Sequence, residues 1–392
     1  MASMNPFVSR LSPPLVPAVQ AWGRAYAGGQ GPLVDLSQAV PGYPPHPNLL
    51  AWLGEAASDT ENAGYGEIEG EPALREAYAA HVAALYGAEL SAANVHVTSG
   101  CNQAFVAAAM AVAGAGDTVL LSNPYYFNHE TTLAMLGIEA RYVACTAETA
   151  FQPDLEAIES GFLLGAKALA LVTPNNPTGA VYPPRLLSDI HALCRRHGAW
   201  LILDETYRDF LPPGEERPHE LFSADGWQDS FIQLYSFSKS FCIPGHRLGA
   251  ITAGEQAVAQ IAKIMDNLQI CAPRAPQAAV AKALPALTAW REGNRIEIRD
   301  RAAALREVLD GVPGWDLQAI GAYFAFMRHP FGDTPSRVVA EALARETGVV
   351  AIPGEFFGDG NERFMRFAFA NAPAEVIRKI GPRLKEFSLR QP

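Results

Sequence analysis

Short apolar runs alternate along most of the chain with segments whose apolar residues recur every three or four positions. The runs lie at 118–121, 168–173, 200–204, 231–235 and 248–252. Several have no polar alternation, as strands covered on both faces require. Between them, 71–86, 101–113, 184–197 and 256–268 carry the helical period, and Pro72 suits a first helical turn. This alternation predicts an α/β fold with a largely parallel, buried sheet between helices.

The two ends of the chain differ from this middle. The first 48 residues are rich in Pro and Gly and weakly periodic, which predicts an extended arm and not a domain. A long helical pattern over 276–309 leads into strand (322–327), helix (336–347), strand (364–370) and helix (374–387), a second and smaller α+β domain. The expected division is therefore an arm over 1–48 joining the small domain, a large domain over 49–285 and a small domain over 286–392.

Composition narrows the classes. With 49% apolar and 18% charged residues the chain is not disordered, and 392 residues suffice for two or three domains. The longest small-apolar stretch, 104–116, is far short of the ~18 residues that cross a bilayer, so no membrane partner is expected. A formal charge of −11 repels polyanions, so nucleic acid is not expected either. The first residues lack the basic and then apolar regions of a signal peptide. Cys101, Cys145, Cys194, Cys242 and Cys271 are too widely scattered for a disulfide framework or a C-x-x-C zinc site. They read as reduced thiols, and a cytoplasmic location is expected.

Several catalytic motifs are excluded directly. The strand Leu201-Ile202-Leu203-Asp204-Glu205 ends in carboxylates, yet no G-x-x-x-x-G-K-[ST] loop accompanies it to hold nucleotide phosphates. Gly114-Ala115-Gly116 lacks the third glycine of a dinucleotide fingerprint and precedes a strand where it should follow one. Neither H-E-x-x-H nor G-x-S-x-G occurs. What remains is Ser236-Phe237-Ser238-Lys239-Ser240-Phe241, followed by Pro244-Gly245-His246-Arg247-Leu248-Gly249. Most lysines are solvated surface charges. Lys239, however, follows an apolar strand, sits among small hydroxyl residues and stands where α/β sheets hold ligands. A desolvated lysine there can lose its proton and condense with an aldehyde as a Schiff base.

With these motifs the chain resembles, over nearly its whole length, the class I/II aminotransferases of the fold-type I enzymes that use pyridoxal 5'-phosphate. The resemblance implies a mostly parallel seven-stranded sheet between helices, plus a smaller α+β domain. It implies that Lys239 condenses with the cofactor aldehyde, that Arg247 clamps its phosphate through a bidentate guanidinium, and that Ser236 binds the same phosphate. Thr98-Ser99-Gly100-Cys101-Asn102-Gln103-Ala104 resembles the turn opening a helix whose N–H groups cradle that phosphate, which assigns Gly100, Cys101 and Asn102. In Pro124-Tyr125-Tyr126 the resemblance makes Tyr126 the ring stacked on the pyridine. In Thr173-Pro174-Asn175-Asn176-Pro177-Thr178-Gly179 it makes Asn176 a donor to the cofactor's phenolic oxygen, with Tyr207 the second donor.

Asp204 is then the partner of the pyridine nitrogen, and its charge keeps that nitrogen protonated so that the ring is an electron sink. Lys239, released when substrate binds, is the proton shuttle at Cα. Pro353-Gly354-Glu355-Phe356-Phe357-Gly358 and Met365-Arg366-Phe367 match the family's closing motifs, and Arg366 is implied to bind the substrate α-carboxylate, beside Asn176. Tyr65, ahead of the helix at Glu71, matches a tyrosine that reaches the phosphate of a neighbouring subunit, which implies a homodimer with shared sites.

The departures bear on substrate choice. Ala39 stands where many relatives have a substrate-touching glycine. His129 and His246 read as satisfied polar residues. Arg274 lies where relatives place the loop delivered to the partner's active site and either reads an acidic substrate side chain or pairs with a surface carboxylate, whereas Phe127, Tyr43 and Phe356 suit an aromatic or aliphatic one. The expected activity is transamination between an L-α-amino acid and a 2-oxo acid by a ping-pong route. A lyase of the same fold, cleaving a Cβ substituent, would use the same residues and is separated only by its products. A ligand-sensing regulator built on this fold would need a basic DNA-binding module, and with an acidic chain that starts at the arm this is not the expected reading.

Overall fold

The computed structural model describes residues 3–214 and 217–389. In chain order its first strands are β1 (Val34–Asp35), β2 (Val95–Thr98), β3 (Thr118–Asn123), β4 (Glu139–Ala144), β5 (Ala168–Val172), β6 (Trp200–Asp204), β7 (Phe231–Ser236) and β8 (Gly249–Ala253). Then come β9 (Asp316–Gly321), β10 (Phe324–Arg328), β11 (Val349–Val350), β12 (Ile352–Pro353) and β13 (Phe364–Ala368). A seven-stranded sheet has the order β2-β8-β7-β6-β5-β3-β4, and only β8 runs against the rest.

Successive strand residues face opposite sides of that sheet, and this sorts the apolar runs into two cores. Leu169, Leu171, Leu201, Leu203 and Phe231 pack on one side with Leu74, Tyr78 and Val82 of the helix Pro72–Tyr86 and Leu187 and Ile190 of Pro184–His197. Ala168, Ala170, Ile202, Ile232 and Leu234 pack on the other with Phe105 of Cys101–Val112 and Ile261 of Glu255–Leu268. Pro72 occupies the first turn of its helix, and Gly87 ends it in a left-handed conformation.

The register brings the motif-bearing loops to one edge. Ser236 at the end of β7 pairs with Gly249 at the start of β8, which pairs in turn with Thr98 at the end of β2. Because β8 is reversed, its entry meets the carboxyl ends of its neighbours, so Arg247 joins Gly100 and Lys239 there. Asp204 ends β6, and Thr173 follows β5 at the same edge.

A second sheet, β12-β13-β10-β9, is antiparallel throughout, and β1 pairs in parallel with β11. Val19, Trp22, Val34 and Leu36 of the arm share a core with Phe326, Val339, Leu343, Met365 and Phe367. The arm is not wholly extended, since Leu15–Arg24 is a helix burying Val19 and Trp22.

Other departures have local causes. β2, β4 and β9 lie outside the apolar runs. β4 is an edge strand with only Val143 buried, β9 is half-exposed, and β2 buries the polar His96 and Thr98. The pattern over 276–309 is two helices, Arg274–Ala286 and Thr288–Asp310. Pro285 has no N–H for the preceding turn, and Leu287 leaves helical geometry two residues later. The last pattern also divides, at Lys379. Among the described residues no helix is long and apolar enough to cross a membrane.

Candidate active site

Asp204 closes a fully apolar strand and is only 4% exposed. Its Oδ1 accepts the Thr206 N–H at 2.9 Å, and its Oδ2 lies 3.3 Å from Nε2 of His129. Burial by itself raises the carboxyl pKa, but the hydrogen bond and charge of His129, with Thr206, outweigh it and hold the group below the usual range. His129 sits on the helix Phe127–Leu136 with its ring stacked on Phe105 at 3.8 Å. It orients the carboxylate, a role the linear sequence did not reveal.

Lys239 lies in the short helix Phe237–Ser240 that follows β7, and its Nζ donates to the Ala39 carbonyl at 2.6 Å. Burial, reinforced by the charges of Arg247 and Arg366 and opposed by Asp204, brings its pKa down to about 8. A neutral amine, the nucleophilic form, is therefore accessible near neutral pH.

The helix Cys101–Val112 begins at this edge, and its first N–H groups have no acceptor within the helix. Gly100 precedes it at φ +86°, where a Cβ would run into the Arg247 guanidinium. Gly249 presses on the same turn: a Cβ there would stand 2.7 Å from the Gly100 carbonyl carbon and 2.9 Å from the Cys101 nitrogen. Arg247 donates to the carbonyls of Pro244 and Ser99 at 3.0 and 3.3 Å. Ser236 accepts the Ser238 N–H, and the buried Ser238 Oγ has no partner among the described residues.

Arg366 is central in its sheet, between β12 and β10, and 3% exposed. It is no edge-strand guard. Nη1 donates to Asn176 Oδ1 at 2.8 Å, Nη2 donates to the Ser37 carbonyl, and Nε has no partner among the described residues. The guanidinium lies over Phe324 and Phe357, and burial lowers its pKa to about 10. Burial also raises the phenol of Tyr126 to about 12, with the Asp204 charge adding to the effect, and the Tyr126 hydroxyl accepts Asn128 Nδ2 at 2.7 Å.

A cavity of about 150 Å³ gathers Cys101, Asn102, Tyr126, Asn176, Asp204, Tyr207, Ser236, Ser238, Lys239 and Arg247. A larger groove contains Ala39, Asn176, Lys239 and Arg366. The set fits a phosphorylated pyridine aldehyde. There is an amine for the aldehyde, a carboxylate for a ring nitrogen, and an unpartnered hydroxyl, a helix start and an arginine for a phosphate. Tyr65 and Arg274 lie outside both. Tyr65 is 80% exposed. Arg274 Nε donates to Glu71 Oε1 at 2.7 Å, its Nη2 to Oε2 at 3.3 Å, and its Nη1 to the Glu61 carbonyl. His129, Thr206 and Ser238 complete the site beyond the residues the motifs assigned. Ser238, two positions after Ser236, and Thr206, two positions after Asp204, had a local signal, and His129 had none.

Residues 32–384 match the family described as "Aminotransferase class I and II". The aromatic aminotransferase ISS1 of Arabidopsis thaliana is 30% identical over 364 residues, covering 90% of this chain and 89% of that one. The valine–pyruvate aminotransferase of Mycobacterium tuberculosis is 29% identical over 363 residues, covering 90% and 91%. Among solved structures, an aspartate aminotransferase of Thermus thermophilus with maleate superposes with a TM-score of 0.88 at 26% identity, covering 98% of this chain and 99% of that one.

Proposed function

The chain belongs to the class I and II aminotransferases, and from that premise we propose that it transfers an amino group between an L-α-amino acid and a 2-oxo acid with pyridoxal 5'-phosphate held on Lys239. The convergence of Lys239, Asp204 and Arg247 in one cavity, with Arg366 in the adjoining groove, carries this reading. When bound, the cofactor supplies a conjugated ring that takes up the electron pair left as the α-proton departs. Asp204, oriented by His129, holds a proton on the pyridine nitrogen. The start of Cys101–Val112, Ser236, Ser238 and Arg247 hold the phosphate. Asn176 and Tyr207 donate to the phenolic oxygen, and Tyr126 covers the ring. Arg366 grips the α-carboxylate, and the Lys239 amine moves the proton at Cα.

The working unit we propose is a homodimer in which Tyr65 reaches the neighbouring subunit's phosphate. Its exposure, with 80% of the residue standing free of the surface, supports this. Five free cysteines suit a reducing cytoplasm. Borohydride reduction followed by peptide mapping tests the core of the proposal, and the pyridoxyl group is expected on Lys239. Label on another lysine overturns the assignment. Amino donors offered with pyruvate or 2-oxoglutarate should yield matched amounts of oxo acid and amino acid, without the pyruvate and ammonia of a Cβ cleavage.

A further inference from the structure

From the walls of the groove that runs outward from Lys239 and Arg366, we infer that the amino donor carries a bulky, uncharged, largely apolar side chain. The inference rests on the aminotransferase reading and concerns the substrate class of that same site. The groove, open to solvent, has a volume of about 1440 Å³ and leaves room for a side chain far larger than a methyl group. Val16, Ala39, Phe127 and Phe356 line it, and each packs against the arm and small-sheet core while remaining only partly buried. These are apolar surfaces fixed in place from behind and wetted in front. An apolar side chain that dries them gains hydrophobic free energy without rearranging the protein.

The charges point the same way. Besides Lys239 and Arg366, the basic side chains lining the groove are Arg10 and Arg337, both exposed. The Arg10 guanidinium lies over the Phe7 ring at 4.9 Å. Two acidic residues, Glu130 and Glu355, line the same groove. Glu355 is fixed, accepting Ser336 Oγ at 3.3 Å and the Arg337 N–H at 3.1 Å. Arg274, the cation that would favour a dicarboxylate, is already paired with both oxygens of Glu71 and with the Glu61 carbonyl. A second substrate carboxylate would leave water for apolar walls and fixed negative charge, and among the described residues lining the groove the cations that are not exposed, Lys239 and Arg366, are already engaged. Ala39 adds a methyl to the wall beside the carbonyl that accepts Lys239.

Two measurements on the cofactor-loaded protein test this. In calorimetry, 3-phenylpropanoate, which mimics a carboxylate with a bulky apolar tail, is expected to bind at least about tenfold more tightly than glutarate. In the amino-donor half-reaction, phenylalanine and leucine are expected to exceed aspartate and glutamate in kcat/KM by about tenfold or more. F127A and F356A should each lower kcat/KM for phenylalanine about tenfold more than for alanine. Glutarate binding as tightly as 3-phenylpropanoate, together with faster turnover of glutamate than phenylalanine, overturns the inference and leaves the aminotransferase reading standing. If 3-phenylpropanoate binds more tightly but no amino acid of any class is deaminated, the aminotransferase reading fails and takes the inference about its amino donor with it. If nothing binds and nothing turns over, both fail.

Discussion

At the scale of single residues the site depends on two buried groups pushed in useful directions. Lys239 has its pKa lowered to about 8, so its amine is protonated below that pH and neutral above it. Acylation of Lys239 in cofactor-free protein should therefore rise through a midpoint near 8 when followed by peptide mass spectrometry, whereas an ordinary lysine reaches its midpoint near ~10.4. A midpoint above 10 would mean that the amine is not desolvated as the structure has it. Asp204 must stay charged inside the protein. Its depressed pKa keeps the carboxylate ionised as pH falls, and His129 supplies the largest part of that depression. In His129→Phe burial then dominates and raises the pKa, so the acid limb of the kcat/KM profile should move to higher pH while the fold survives. An unmoved limb would remove His129 from this role. Asp204→Asn should lower turnover by about a hundredfold or more at every pH, because an amide cannot hold the ring nitrogen protonated. The motifs made Asp204 legible in the sequence. His129 was not, because its function depends on a helix turning toward a distant strand and no local spacing records that.

At the scale of elements the chemistry depends on how closely β8 approaches the turn before Cys101–Val112. A Cβ at Gly249 would meet main-chain atoms of Gly100, Cys101 and Tyr235 at 2.7, 2.9 and 2.9 Å, and main chain cannot swing aside as a side-chain tip can. Gly249→Ala should therefore cost about 1–3 kcal/mol of stability in denaturant titrations and weaken cofactor retention, since the displaced turn carries the helix N–H groups. A variant with normal stability and normal cofactor content would show that the turn can move. The apolar runs recovered β3 and β5 to β8, whose buried positions are mostly hydrophobic, while the equally buried β2 escaped because His96 and Thr98 interrupt its run. The edge strand β4 evaded that signal: residues such as Glu139 face solvent, and pairing with β3 holds it in the sheet. The helix break at Leu287 was equally hidden, since apolar spacing continues across it and only Pro285 marks the place.

On the scale of the whole molecule, the arm and the C-terminal sheet are one body around the site. β1 pairs with β11, the Ala368 N–H donates to the Leu36 carbonyl at 2.8 Å, and the same arm segment presents the Ser37 and Ala39 carbonyls to Arg366 and Lys239. The one chain thus brings Lys239, Arg366 and the groove together by itself, yet Tyr65 stands exposed and outside the cavity. If Tyr65 serves a neighbour, separating the subunits must weaken cofactor binding, because the phosphate loses a donor and dimerisation is thermodynamically linked to occupancy. A mixed dimer makes this measurable. Pair a Tyr65→Ala subunit with a Lys239→Ala subunit and purify the heterodimer through two different tags. The only lysine-bearing site then lies in the subunit lacking Tyr65, and under sharing it receives an intact Tyr65 from its partner. Its turnover per lysine-bearing site and its cofactor affinity should equal those of the unmutated dimer, while the Tyr65→Ala homodimer should hold cofactor more weakly by about tenfold, the cost of one charge-assisted hydrogen bond. A heterodimer as impaired as that homodimer would place Tyr65 in its own chain's site, and a fully active monomer would remove the need for a partner altogether.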